Sequence, residues 1–249
     1  MNRKPRLCLI TNDPAQKGGA GGYFRAVFEI LRSRSDLELE ILSLPPVGDH
    51  RLDLEPWAYA LGKFPGTREG EFEGTPALYS GGARRLEPLA FRSARKNWMP
   101  RFQMADAVIV VSGAALVGWP LTGSGVRYLL FTATSLDDER KHARRGWGRD
   151  LLYQINRPWL RAMERSVYQE ASLIFTLTPD MNQMISAESG VPPERFRVFP
   201  MPVDGGRYFP HPASLRPGTI LWMARHDDPR KNTALLLRAA ASLVPSRPA

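Results

Sequence analysis

The sequence predicts an α/β protein: one parallel sheet with helices on both of its faces. Three observations carry that expectation. Short unbroken apolar runs recur, among them Arg6–Thr11 (RLCLIT), Ala107–Val111 and Leu173–Leu177 (LIFTL), and runs without polar alternation suit strands buried on both faces. Helical periodicity fills the intervals between them across the first 200 residues, as it does where parallel strands are joined by crossover helices. A glycine cluster, Lys17-Gly18-Gly19-Ala20-Gly21-Gly22, stands where the first strand gives way to the first helix.

Taken in order, Asn12-Asp13-Pro14 ends the first strand, and Phe24, Val27, Phe28 and Leu31 recur at helical spacing over Tyr23–Arg32. Leu37–Leu44 alternates apolar with acidic residues and reads as a second strand, stopped by Pro45-Pro46. Residues 46–75, rich in Gly, Pro and charge, fit no regular element, and Pro76–Tyr79 is a short strand. Ala90–Met104 is helical as far as an interruption at Pro100. The strand at Ala107–Val111 leads into a small-residue loop, and Val126–Thr132 (VRYLLFT) is the next strand. Asp137-Asp138-Glu139 reads as a turn or a helix start. Asp150–Glu170 is a helix that restarts at Asn156 and Pro158. Leu173–Leu177 is a strand, Pro179–Glu188 a helix and Arg197–Phe199 a short extended segment. From residue 201 to 218 prolines and glycines give linker composition. A strand at Thr219–Met223 and an Ala/Leu-rich helix at Asn232–Leu243 then begin a second unit. The expected organisation is therefore a first domain over 1–200, a hinge over 201–218 and an incomplete second domain over 219–249.

The 249 residues hold 34 Lys+Arg against 25 Asp+Glu and a single cysteine, Cys8. One cysteine excludes a disulfide framework, a cysteine zinc cluster and a redox pair. The opening apolar run is too short for a signal-peptide core, and the uncharged interval 107–126 is too punctuated by Gly and Pro for a spanning helix. A cytoplasmic protein is expected. The net charge of +9 is concentrated. Residues 84–101 carry six basic side chains against Glu87 alone, and residues 140–165 carry eight against Asp150 and Glu164. Such surfaces suit anionic partners. No nucleic-acid recognition motif accompanies them, so nucleic acid is not expected.

The glycine cluster is placed to receive an anion, because backbone N–H groups and the helix dipole converge there. It is neither a dinucleotide fingerprint, since the third glycine would fall on Phe24, nor a Walker A loop. In the segment MARHDDPRKN, Arg225 follows the strand and Lys231 opens the next helix, a suitable pair for a diphosphate. No Asp-x-Asp, His-Glu-x-x-His or Gly-x-Ser-x-Gly occurs. The four histidines, His50, His142, His211 and His226, are scattered singly.

Together these stretches resemble the family 4 retaining glycosyltransferases of GT-B fold. The resemblance runs through ADAVIVVSG, YLLFTATSLDDE, EASLIFTLTPDMNQMI, RFRVFPMPVDGGRYFP and TILWMARHDDPRKNTALLLRAA. Its most specific part is Arg195–Pro210, where Met201-Pro202-Val203-Asp204 and Tyr208-Phe209-Pro210 stand in the places of the family's hinge. It implies a Rossmann-like acceptor-side domain followed by the start of a donor-binding domain. It also implies metal-independent, retaining transfer from a nucleotide-diphosphate sugar, with no other cofactor. Gly21, Gly22, Arg225 and Lys231 would grip the donor diphosphate, and Tyr23, Thr132 and Thr134 would line the acceptor side; no catalytic residue is assigned. The acceptor would be lipid-linked, a polysaccharide or a small molecule. Two departures stand out: Thr132-Ala133-Thr134 occupies the place of a frequent histidine, and the family's Glu-x7-Glu segment is absent. A noncatalytic, truncated paralogue that holds an acceptor or a membrane is the alternative, so catalysis is left open.

Leu151, Ile155 and Trp159 form an apolar stripe at helical spacing within the basic segment 140–165. The plain expectation is that the stripe packs on the sheet while the arginines face water. The sharper one is a peripheral contact with the inner membrane face.

Overall fold

The computed structural model describes residues 3–16, 18–44, 52–53, 55–82, 87–141, 147–203, 205–206, 209, 219–224 and 231–243. The expectations at Asp204, at Arg225 and over most of the 201–218 hinge lie outside these residues. The chain divides into two compact units, Met1–Arg140 with Arg145–Pro202, and Lys141–Arg144 with Val203–Ala249.

The first unit is built on β1 (Arg6–Thr11), β2 (Glu38–Ser43), β3 (Thr67–Phe72), β4 (Thr75–Ser80), β5 (Ala107–Ser112), β6 (Tyr128–Thr132), β7 (Leu173–Thr176) and β8 (Phe196–Val198). They form a single eight-stranded sheet in the order β3-β4-β2-β1-β5-β6-β7-β8. Every pairing is parallel except that of β3 with β4. The apolar runs supply the central strands because both sides of those strands are covered. Along β1, Leu7 and Leu9 point to one face and Cys8 and Ile10 to the other, and all four are buried.

Helix α1 (Gly19–Arg32) covers the first face with Tyr23, Phe24, Val27 and Phe28. The second face carries a larger cover. It comprises α3 (Glu87–Met104), a 3-10 helix over Ala115–Leu121, α5 (Trp147–Glu170) and α6 (Pro179–Ser189), contributing Trp98, Phe102, Leu116, Leu121, Leu160, Val167 and Ile185. The chain also forms the short helices α2 (Pro56–Ala60) and α4 (Leu136–Lys141). The chain therefore winds to one side of the sheet after β1 and to the other after β5, and the two strands are neighbours.

The expected α/β class and parallel sheet are what the structure shows, with local corrections. Residues 46–75 are not wholly irregular: they contain α2 and β3, and β3 turns into β4 through Glu73 and Gly74 at φ 49° and 78°. Positive φ at both central residues matches the twist of a tight hairpin. The interval after β5 holds a buried 3-10 helix rather than an open loop. Neither Pro100 nor Pro158 interrupts its helix. Both prolines are exposed, so the carbonyls of Lys96 and Gln154, which lose their usual N–H partner, are on sides of the helix that water reaches.

In the second unit, α7 (Thr233–Leu243) forms as expected, with the side chain of Asn232 accepting from the Leu235 N–H at 3.3 Å. Thr219–Met223 does not form a strand, and Ile220, Leu221 and Met223 are exposed. A strand requires a hydrogen-bonding neighbour, and none pairs with this segment among the described residues. Helix α7 buries none of its side chains.

Candidate functional site

At the carboxyl edge of the sheet, between β1 and β5, the direction of winding reverses. This is the place where open α/β sheets leave a crevice for ligands. The glycine loop forms one wall. Gly18 precedes α1 with φ 102°, and no side chain caps the helix. Its first turn contains no acidic residue, so the leading N–H groups lack intrahelical partners and the positive end of the dipole is not neutralised from within. Gly21 lets the loop fold back on itself: a Cβ there would lie 1.7 Å from the Gln16 carbonyl oxygen. Gly22 is exposed, with the Met201 Sδ 3.9 Å from where its Cβ would be.

The loops after β5 and β6 stand beside the glycine loop at the same edge. The Asn12 Nδ2 donates to Ser112 Oγ at 3.4 Å, tying the end of β1 to that of β5. A Cβ on Gly113 would stand 3.6 Å from the Ala20 Cβ on α1 and 3.7 Å from Glu139 Oε1 on α4. The start of α1 and a carboxylate thus meet across one glycine. Thr132 is buried, and its hydroxyl donates to the carbonyls of Gly113 and Thr134 at 2.8 and 3.0 Å. The Thr134 N–H donates to the Gly113 carbonyl at 3.0 Å.

Behind these loops sits Glu164, on α5 and 6% exposed. Its carboxylate accepts from the backbone N–H of Leu136 at 3.0 Å, from that of Ala115 at 3.4 Å and from the Tyr168 hydroxyl at 3.2 Å. One side chain thereby fixes where the β5 loop enters its 3-10 helix and where the β6 loop enters α4. Burial pushes the Glu164 carboxyl up to about 7, against the pull of those donors. Asp137 is opposite in character. Burial pushes its carboxyl up, but hydrogen bonds from Arg161, Arg157 and Tyr153 outweigh that and hold it at about 2.

Of the sequence-selected residues, Gly21, Gly22, Thr132 and Thr134 come together at this edge. Tyr23 is wholly buried: its ring packs against Phe131 and Phe199, and its hydroxyl donates to the Phe199 carbonyl at 3.2 Å. It serves the core rather than a surface that an acceptor could touch. Lys231 is exposed just before α7, in the second unit. Sequence reasoning missed Glu139, Gly113 and Glu164. For Glu139 the available signal was helical phase, since three adjacent acids in the first turn of a helix point in three directions.

A family model described as a glycosyl transferase 4-like domain matches residues 18–202, from the glycine loop to the end of the first unit. Among solved structures the chain is similar to the UDP-N-acetylglucosamine 2-epimerase from Rickettsia bellii, at 13% identity and a TM-score of 0.42. That match covers 79% of this chain and 44% of the other, so the chain spans less than half of that structure. No curated protein matches the sequence.

Proposed function

The chain belongs to the glycosyl transferase 4-like domain family, and from that premise we propose that it is the acceptor-side part of an enzyme that moves a sugar from a nucleotide-diphosphate sugar to an acceptor with retention. The observation that supports this reading is the uncapped start of α1 across Gly113 from Glu139. A diphosphate leaving group accumulates negative charge as its bond to the sugar breaks. Preorganised N–H dipoles at a helix start favour that charge without a metal. In this reading Gly21 brings a backbone N–H to the diphosphate, and Gly22, whose own N–H donates to the Gly18 carbonyl at 2.8 Å, leaves open space for its approach. Thr134 and Glu139 face the acceptor, Glu139 orienting the hydroxyl that attacks. With retention and no protein nucleophile, the hydroxyl bonds to the anomeric carbon on the face the diphosphate leaves, and its proton passes to a departing phosphate oxygen.

Gly22→Asp tests the diphosphate role. The site is open, and an acid in the first turn favours the helix by about 0.3–1 kcal/mol, so the variant should be at least as stable as the parent. The same charge should repel a diphosphate and weaken binding of UDP-, GDP- or ADP-sugars about tenfold in ligand-observed NMR. Unchanged binding would remove the glycine loop from the donor site. The anomeric coupling constant of the product reports retention directly, and full activity in excess EDTA is the expected result for metal independence. An inverted product, or transfer abolished by EDTA, would overturn that part of the reading.

A further inference from the structure

The first half of α5 presents large apolar side chains to solvent among its described residues. Leu151, Ile155 and Trp159, one helical turn apart, are 50%, 66% and 45% exposed, and Leu152 beside them is exposed too. This corrects the expectation that the stripe packs on the sheet. The fully buried side chains described on α5 start at Leu160 and continue through Met163, Glu164, Val167 and Tyr168. The first half meets the core through the half-buried Tyr153, whereas the second half packs on the 3-10 helix, α6 and the buried side chains of β5 and β6. Ile155 and Trp159 are too large and too close together to be read as scattered surface residues, and contiguous exposed apolar area on a soluble fold marks an interaction surface.

Charge identifies the occupant. Between residues 141 and 150 the sequence places Lys141, Arg144, Arg145 and Arg149 against Asp150 alone, while Arg157 and Arg161 farther along α5 are held by Asp137. A second copy of the chain would bring equal positive charge against this surface. Nucleic acid would match the charge but leave Leu151, Leu152 and Ile155 without a use. An anionic bilayer surface matches both halves, because the apolar stripe enters the headgroup boundary, Trp159 suits the interface, and the basic side chains meet acidic lipid. No described helix is long and apolar enough to cross a membrane, so the contact would be peripheral.

We propose that the first half of α5, with its flanking arginines, docks this protein on anionic lipid through Leu151, Ile155 and Trp159. The surface stands on these residues alone and does not depend on the sugar-transfer reading. It lies toward the same edge of the sheet as the crevice, so it would present that edge to an acceptor held at the bilayer.

Co-sedimentation of the 249-residue chain with vesicles tests this, using phosphatidylcholine alone against phosphatidylcholine with about one third phosphatidylglycerol. Binding should require the anionic lipid and weaken steeply with salt. Each basic residue removed should cost about fivefold at low salt. Arg144, Arg145 and Arg149 changed together to Glu should therefore reduce binding by a hundredfold or more. Leu151→Ser, Ile155→Ser and Trp159→Ser combined should reduce it about tenfold while circular dichroism and melting temperature stay at the parent's values, because these side chains are already in water. The salt titration on the unmodified chain reads the electrostatic part with no variant at all. Equal binding to both vesicles, no binding to the anionic ones, or an apolar variant that binds like the parent would each overturn the proposal. So would a concentration-dependent dimer that Ile155→Ser dissolves, which would assign the face to a second copy.

Discussion

The two halves of α5 are one continuous helix with opposite surroundings. Its second half presents Leu160, Met163, Val167 and Tyr168 to the sheet and buries all of them, while its first half presents Leu151, Leu152, Ile155 and Trp159 to solvent. In sequence the two halves show the same apolar periodicity. The difference between them is what the rest of the fold lays against each half, and not the hydrophobic pattern. Periodicity identifies a face that requires a cover, and the rest of the fold decides whether the cover is the protein's own sheet or something outside it.

The contrast can be broken most severely in the buried half. Met163→Ala should destabilise the first unit by about 2–4 kcal/mol in urea unfolding, because it leaves a cavity under β5 and β6. A loss below about 1 kcal/mol would show that this half is no more integral than the other.

The next effect is a pH dependence from Glu164. Its carboxyl titrates near 7 in the folded chain and near 4.3 when unfolded. A carboxyl raised by folding contributes its full stability below the unfolded value and loses it as pH climbs through the folded one. Stability should therefore fall by on the order of 2–3 kcal/mol between pH 4.5 and pH 8 from this group. Glu164→Gln, which keeps the shape and removes the charge, should flatten that slope. An unchanged slope would place the titration elsewhere.

Asp137 runs the other way and is smaller. Its carboxyl is held at about 2, so its contribution is present above the unfolded value and is lost as pH falls toward 2. Because Arg161 is more than half exposed, solvent screening limits the effect, and Asp137→Asn should cost about 1 kcal/mol at pH 7. That loss should disappear by pH 2. The smallest effect sharpens the comparison. Ile155→Ala, in the exposed half, should change stability by no more than about 0.5 kcal/mol.

The strands, α1 and the place of the glycine loop were legible in the sequence because each rests on an unbroken run or on a local residue type. RLCLIT suits a strand covered on both sides, and a glycine at position 21 is demanded by a carbonyl five residues back. What stayed hidden depends on contacts distant in sequence. The β3–β4 hairpin is signalled only by Glu73-Gly74, since β3 itself, TREGEF, has almost no apolar residue. Pro100 and Pro158 looked like helix ends because a proline's cost is local, whereas its tolerance depends on which side of the helix meets water. At the carboxyl edge, the places of Gly21, Gly22, Thr132 and Thr134 follow from the start of α1 and the end of β6, and their roles are those the resemblance implies. Glu164 was not legible, because nothing in residues 150–170 announces that one acid will accept N–H groups from loops 28 and 49 residues away. The resemblance put Tyr23 on the acceptor side, whereas its ring and hydroxyl are taken up by Phe131 and Phe199 in the core.

β3 also determines how the sheet behaves in crowded or heated solution. Without it β4 would be an outer strand of small and apolar residues, nearly all of them shielded here, with a free row of backbone donors and acceptors. Such an edge recruits the same edge of another molecule and begins aggregates. Laying TREGEF across it moves the outer boundary to a strand whose Arg68, Glu69 and Glu71 stand in solvent, a poor template for further pairing. The least hydrophobic strand of the fold thus acts as its guard against self-adhesion, and deleting residues 67–74 should be felt first as lost solubility during expression.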